Sequence, residues 1–485
     1  MKSQLLTVLA FAALLLGVTA ACNRNRIDIE SLEKDLVGLW WDEYEYADVT
    51  EAGVPFDRVL LAVKADADHT GCIYLGVYNS ADNRPLAVYG GPEDAGFTWR
   101  LLEDGSLMLN EMPGVKSTAL TRADGDSGNY GDDMTNVSGT DAAYANGSVT
   151  VSNGSYSGTL DKADSGTETK IEEQLSRAVI DLADLTTDYE ARNGDILTGT
   201  LGNPVKITIA DGAVITLKDV TINGIDEKKY QWAGLTPVGD ATIVLEGSNK
   251  VKGFNQDYPG IFAAVGHMLT LTGSGSLESS SNGGGAGIGG GAVVSVTESA
   301  ENPISCGDIT IRQATITAIG GERGAGIGGG TNASCGDITI ESGHVTASSE
   351  RNSAGIGGGG QLLTRRVSCG NITIQGGTVI AHGGLHAAGI GSGACPFSLS
   401  PIGNITITGG TITAVGGEES AGIGCGGAGR CGNITITQGV TRVEATKGNN
   451  ALYSIGPDSE LGTCGTVTVG DKEGYVSESP FVYMP

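Results

Sequence analysis

The chain has 485 residues, 79 of them glycine, with 5% aromatic residues and a formal net charge of −27. That length admits two or three domains, and so much glycine with so few aromatics excludes an ordinary helical enzyme core. The charge argues against nucleic acid or a bare anionic membrane as partner, because phosphate binding needs clustered Lys and Arg. Cations and neutral ligands fit better.

Lys2 precedes an apolar run from Leu5 to Ala21, too short and too early for a membrane span, and residues 1–21 read as a signal peptide. The run closes Val18-Thr19-Ala20-Ala21-Cys22, which resembles the lipobox of bacterial lipoproteins. The resemblance implies a lipid on Cys22, a tether over 22–26 and, because Asn23 rather than Asp follows, sorting to the outer membrane. Thr19 stands where that family usually has Leu, so plain cleavage by a secretory peptidase is the alternative.

Residues 27–120 carry β-rich runs such as RVLLAVK (58–64), CIYLGVY (72–78) and FTWRLL (97–102), separated by Asp-Gly and Gly-Gly turns. They predict a small antiparallel β domain. Three of the four tryptophans lie here, Trp40, Trp41 and Trp99, and are expected to pack its core rather than form a sugar-stacking platform. Leu36-Val37-Gly38-Leu39-Trp40 resembles the Gly-x-Trp opening of small lipocalin-like barrels. Residues 121–170, rich in Ser, Gly and Asp, read as a linker with a strand or two.

A repeat then takes over. Its unit is Cys-Gly-(Asp/Asn)-Ile-Thr-Ile, then Thr-Ile-Thr-Ala, then Ala-Gly-Ile-Gly. Copies of the last piece start at Ala286, Ala325, Ala354, Ala388 and Ala421, at separations of 39, 29, 34 and 33 residues. Split at Cys306, Cys335, Cys369 and Ile402, each interval ends in a constant 19 residues, while the first part varies as 20, 10, 15 and 14. A fixed module therefore alternates with a variable loop. The module holds three short segments of period two (Ile309 and Ile311, Ile316 and Ala318, Ala325 and Ile327) and no helical pattern, which predicts an all-β, right-handed parallel β-helix over 171–485. Eight or nine coils with a cap at each end would make a rod on the order of 40 Å long.

The segment from about 175 to 485 resembles the parallel β-helix carbohydrate-binding proteins of bacterial cell surfaces, relatives of the pectate-lyase-like fold. Gly-Asp-Ile-Leu-Thr-Gly (194–199) and the repeated Gly-Asn-Ile-Thr-Ile and Ala-Gly-Ile-Gly carry the likeness. It implies a non-catalytic exported protein that binds a polysaccharide or surface glycan, or an adhesin. The alternative is a β-helix polysaccharide lyase or glycoside hydrolase. Clustered carboxylates or a calcium cluster with a basic residue, which such enzymes need, are not visible in the sequence. His344, His382 and His386 read as surface histidines.

Cys306, Cys335, Cys369, Cys431 and Cys464 share one repeat position, with Ile402 in the same place, so buried thiols packed as core are expected there. Cys395 and Cys425 fall off this ladder and are the better candidates for a disulfide. A second ladder, Asp308, Asp337, Asn371, Asn404 and Asn433, predicts amides bonded from rung to rung. The repulsion of Asp308 and Asp337 makes calcium at that pair a candidate cofactor. Candidate binding residues lie on the variable loops, which leave one corner as a rim: Glu298, Asn302, Gln361, Arg365, Arg366 and Phe397. The glycines of the Ala-Gly-Ile-Gly face form a strip without side chains, open to a flat glycan or covered by the protein itself.

Overall fold

The computed structural model describes residues 37–51, 54–78, 87–90, 96–101, 107–110, 118–119, 141–145, 148–152, 157–175, 179–293, 305–361, 368–395 and 401–485. They form two compact units divided between Arg177 and Ala178.

The N-terminal unit is an antiparallel sheet centred on Gly38–Glu51, Val54–Ala65 and Thr70–Tyr78. Leu39, Leu60, Ala62, Tyr78 and Ile171 are packed together and closed to solvent. Trp40 is fully buried, as a core tryptophan should be, with the Lys162 ammonium 5.6 Å above its ring. Within the expected linker over 121–170, where a strand or two was expected, three strands are described. Asp141–Ala145, Ser148–Ser152 and Ser157–Lys162 continue the same sheet, the last pairing Lys162 with Trp40. The period-two signal was there in Val149 and Val151, diluted by Ser and Thr. A helix follows over Ser165–Leu175, capped where Asp164 Oδ1 accepts the Thr167 N–H at 2.7 Å. Its Ile171 joins the N-terminal core, so residues 171–177 belong there rather than to the β-helix.

The C-terminal unit is a parallel β-helix with three walls. The first wall stacks eleven parallel strands, from Val179–Asp181 to Val467–Val469. That exceeds the eight or nine expected, because the first rungs lack the repeat's signature. The second wall runs from Ser248–Lys252 to Arg442–Thr446, and the third from Ile261–Phe262 to Ile455–Gly456. Register is strict: Ile309, Ile338, Ile372, Ile405 and Ile434 stack in one column, and Ile327, Ile356, Ile390, Ile423 and Ile455 in another. All are fully buried, and each contributes about 1.5–3 kcal/mol by leaving water. This explains the constant 19 residues, since a one-residue slip would turn every Ile outward. Phe481–Tyr483 pairs antiparallel with the last full second-wall strand and closes that end, as the predicted C-terminal cap does.

Two glycine positions of the repeat have separate causes. Gly289, Gly328, Gly357, Gly391 and Gly424 have φ between +127° and +140°, and a Cβ there would meet the carbonyl oxygen of the corresponding glycine one coil on at 1.9–2.2 Å. The glycine strip is therefore buried under the neighbouring coil's backbone and is not an open face. From the second ladder position on, the following glycine makes room for an Asx side chain: a Cβ on Gly336, Gly370, Gly403 or Gly432 would lie 2.2–2.7 Å from the Oδ1 of Asp308, Asp337, Asn371 or Asn404.

The expectation for the cysteines is reversed. Cys335–Cys369 and Cys431–Cys464 are disulfides between successive coils, with Cα atoms 4.5 and 4.6 Å apart, whereas Cys395 and Cys425 are buried and take part in neither bridge. In-register stacking brings like positions to within disulfide range, and side-chain rotation makes up the difference in direction. Cys306 is the ladder's one free thiol, and burial pushes its pKa up to about 12.

Candidate functional site

The Asx ladder binds the coils to one another. Asp337, Asn371, Asn404, Asn433 and Thr466 each donate a backbone N–H to the side-chain Oδ1 one coil before, at 2.7–2.9 Å. The acceptor in each case comes from Asp308, Asp337, Asn371, Asn404 and Asn433 in turn, so both aspartates proposed for calcium are engaged by backbone donors. Asn371 Nδ2 adds contacts of 3.3 and 3.4 Å to the Asp337 carboxylate. These donors stabilise the negative charge of Asp308 and Asp337.

A concavity lies elsewhere, at the corner where the variable loops leave the helix. It is an open cleft of about 820 Å³ built from four successive coils. The position two residues before each Ala-Gly-Ile-Gly copy supplies a column of Asn352, His386 and Glu419. Parallel stacking sets neighbouring members of that column on adjacent rungs, and His386 Nδ1 comes to 3.2 Å from Glu419 Oε2. Gln361 also lines the cleft. It is 2% exposed, its N–H bonds the Ala394 carbonyl at 3.0 Å, and residue 362 begins the next variable loop. Ala394, Gly427, Ala428 and the exposed Leu461 give the cleft an apolar surface.

The last coil contributes Asp458, whose side chain is 3% exposed. Its Oδ2 accepts the Ala428 N–H at 3.0 Å, its Oδ1 is buried, and Ser459 is the carboxyl's other polar neighbour. The carboxyl packs directly on Gly462, where a Cβ would sit 2.0 Å from Oδ1. Burial raises its pKa above the ordinary carboxylate value. A carboxyl made easier to protonate, an imidazole–carboxylate pair and three amides (Asn352, Gln361, Asn450) thus converge on one hollow. Together they can donate to and accept from a ligand rich in hydroxyl groups. No Lys or Arg lines the cleft among the described residues, so nothing described there favours an anionic ligand.

Of the predicted binding residues, Gln361 is the one among the described residues, and it lines the cleft. Glu298, Asn302, Arg365, Arg366, Phe397 and the lipidation residue Cys22 lie outside the described residues. His386, Glu419 and Asp458 were missed. The first two could have been found by aligning the repeat at the position two before Ala-Gly-Ile-Gly, whereas Asp458 sits in a degenerate coil that breaks the pattern. His344 and His382 are exposed on the second wall, as expected of surface histidines.

A family model described as beta helix repeat matches residues 309–331, 338–360, 372–394 and 405–427. No curated protein and no solved structure matches the chain. Each matched segment begins on a first-wall isoleucine and ends at the loop corner, so the chain contains at least four β-helix repeats, and their termini at Gly360, Ala394 and Gly427 lie in or beside the cleft.

Proposed function

We propose that this is an exported, lipid-anchored protein whose β-helix binds an extracellular polysaccharide or surface glycan in the cleft at the loop corner. The observation that carries the reading is the cleft itself. An open hollow of about 820 Å³ presents three amides, an imidazole–carboxylate pair and a buried carboxyl beside apolar surface, without a described cation. That combination suits a neutral, hydroxyl-rich chain better than a uronate or sulfated one. The anchor rests on the lipobox-like run ending at Cys22.

Isothermal titration of the purified chain against a panel of neutral and acidic polysaccharides tests the binding. A neutral glycan is expected to bind, with His386→Ala and Glu419→Gln each weakening it about tenfold, the loss of one hydrogen bond to a charged group. Failure of every glycan to bind, or full affinity in both variants, sinks the proposal. Labelling cells with a fatty-acid analogue tests the anchor, which predicts incorporation lost in Cys22→Ser.

A second reading has one specific observation behind it. Asp458, with its raised pKa, and the Glu419 carboxylate share the cleft, which is the pairing of acid and base that glycoside hydrolysis uses. Release of reducing ends, abolished in Asp458→Asn, would establish it. Binding without product would exclude it for the glycan tested.

A further inference from the structure

The last coils hold a group of sulfur atoms that the cleft does not use. The free, fully buried Cys425 thiol lies 3.7 Å from Cys431 Sγ and 3.3 Å from Cys464 Sγ, the two sulfurs of the final disulfide. The three ligand atoms fall within 4.8 Å of one another, and among the described residues no other trio of His, Cys, Asp or Glu comes so close. The repeat itself makes this coil different. The residue after each Gly-Ile-Gly is Gly290, Gly329, Gly358 and Ser392 in the earlier copies, and becomes Cys only at 425. One coil back, the corresponding space is a void of about 10 Å³ beside Cys369, Cys395 and Ile402.

A resolving thiol for disulfide exchange should approach along the S–S axis, close to one sulfur and far from the other. Cys425 instead stands beside the bond at two similar distances, and burial holds its proton on. A triangle of three sulfurs suits a different task. Three thiolates about 2.3 Å from a central ion stand about 4 Å apart in a plane, close to two of the separations already present.

We propose that, once the Cys431–Cys464 bridge is reduced, Cys425, Cys431 and Cys464 form a three-thiolate site for a thiophilic divalent ion of the zinc and cadmium class. A dithiol supplies two electrons and two protons to the bridge and leaves as its own disulfide. The ion then displaces three thiol protons and binds with one net negative charge. A monovalent ion would leave two such charges in the same buried place, at a higher desolvation cost. Only the bridged pair has to separate, and with Cα atoms 4.6 Å apart it can do so by side-chain rotation. Cys464 is partly exposed, which gives the ion an entry and leaves a position for water. This site is independent of the glycan reading.

The test uses the full chain with Cd²⁺ as probe, before and after reduction by excess dithiol and anaerobic desalting. Native mass spectrometry, circular dichroism and alkylation footprinting with peptide mapping are read together. The reduced, still folded chain should hold one tightly bound Cd²⁺, with Cys425, Cys431 and Cys464 losing alkylation together. Cys425→Ser should weaken binding at least about tenfold, while Cys395→Ser leaves it unchanged. Protection confined to Cys306, Cys335 and Cys369, undiminished affinity in Cys425→Ser, or no bound ion after reduction overturns the proposal. The wild-type footprint decides the matter even where a variant does not fold.

Discussion

Replacing Gly391 by alanine should be among the most damaging single-methyl additions available in this chain. Gly391 has a φ of +140°, which costs an L-residue roughly 1–3 kcal/mol. The added Cβ would lie 1.9 Å from the Gly424 carbonyl oxygen, more than 1 Å inside ordinary contact, so the third wall must part there. Such overpacking adds about 1–3 kcal/mol. Parting the wall also strains two bonds between coils, Ile390 N–H to Gly422 O at 3.0 Å and Ser392 N–H to Gly424 O at 2.9 Å, worth about 1 kcal/mol each. The sum is about 4–8 kcal/mol, beyond the usual range for a point substitution. Gly266 is the control, because its φ is +77° but a Cβ there meets nothing within 4 Å, leaving only the backbone strain. Guanidinium unfolding of both variants, followed by circular dichroism, should show Gly391→Ala losing at least about 3 kcal/mol more than Gly266→Ala. Equal losses would refute the claim that stacking between coils, rather than local conformation, fixes the repeated glycine.

The remaining predictions concern the ladders and the cleft. Asn404→Ala removes the acceptor of the Asn433 N–H and should cost about 1 kcal/mol or somewhat more, read as a lower unfolding midpoint; Thr413→Ala, on the second wall, should cost less. Replacing both Cys335 and Cys369 with alanine opens a bridge of sequence separation 34 and should cost about 3–4 kcal/mol, measured against the oxidised chain. Asp458 has a folded pKa above its unfolded one, so its contribution to stability falls as pH rises from about 4 through the raised folded value, then stays constant. Asp458→Asn should flatten that part of the profile of melting temperature against pH and be neutral or stabilising at pH 7. A wild-type profile unchanged by the substitution would contradict the burial argument.

The fold was legible because it is written as a period. Every rung must place its isoleucines inward at the same height, so the 19-residue constant and the Ile-Thr-Ile alternation appear directly in the letters. The N-terminal sheet was less legible where apolar residues alternate with Ser and Thr, as at 148–152, because composition there resembles a linker. The Asx ladder was found as stacked amides, yet its bonds are donated mainly by backbone N–H groups to side-chain oxygens, a preference that spacing does not encode.

The sequence by itself determined the parallel β-helix, the three-wall module, the corner at which its length varies and the residue types stacked in each column. A repeat specifies neighbours along the stacking axis, and that is the only direction it specifies. The tertiary structure decided what crosses that axis. It paired Cys431 with Cys464 and set Cys425 beside them, although the sequence places the first two in the ladder as buried thiols and offers Cys425, off the ladder, for the disulfide. It also brought Asp458 from a coil that has lost the motif into the hollow beside His386 and Glu419, because a coil without the signature still packs at the same height as the ones before it.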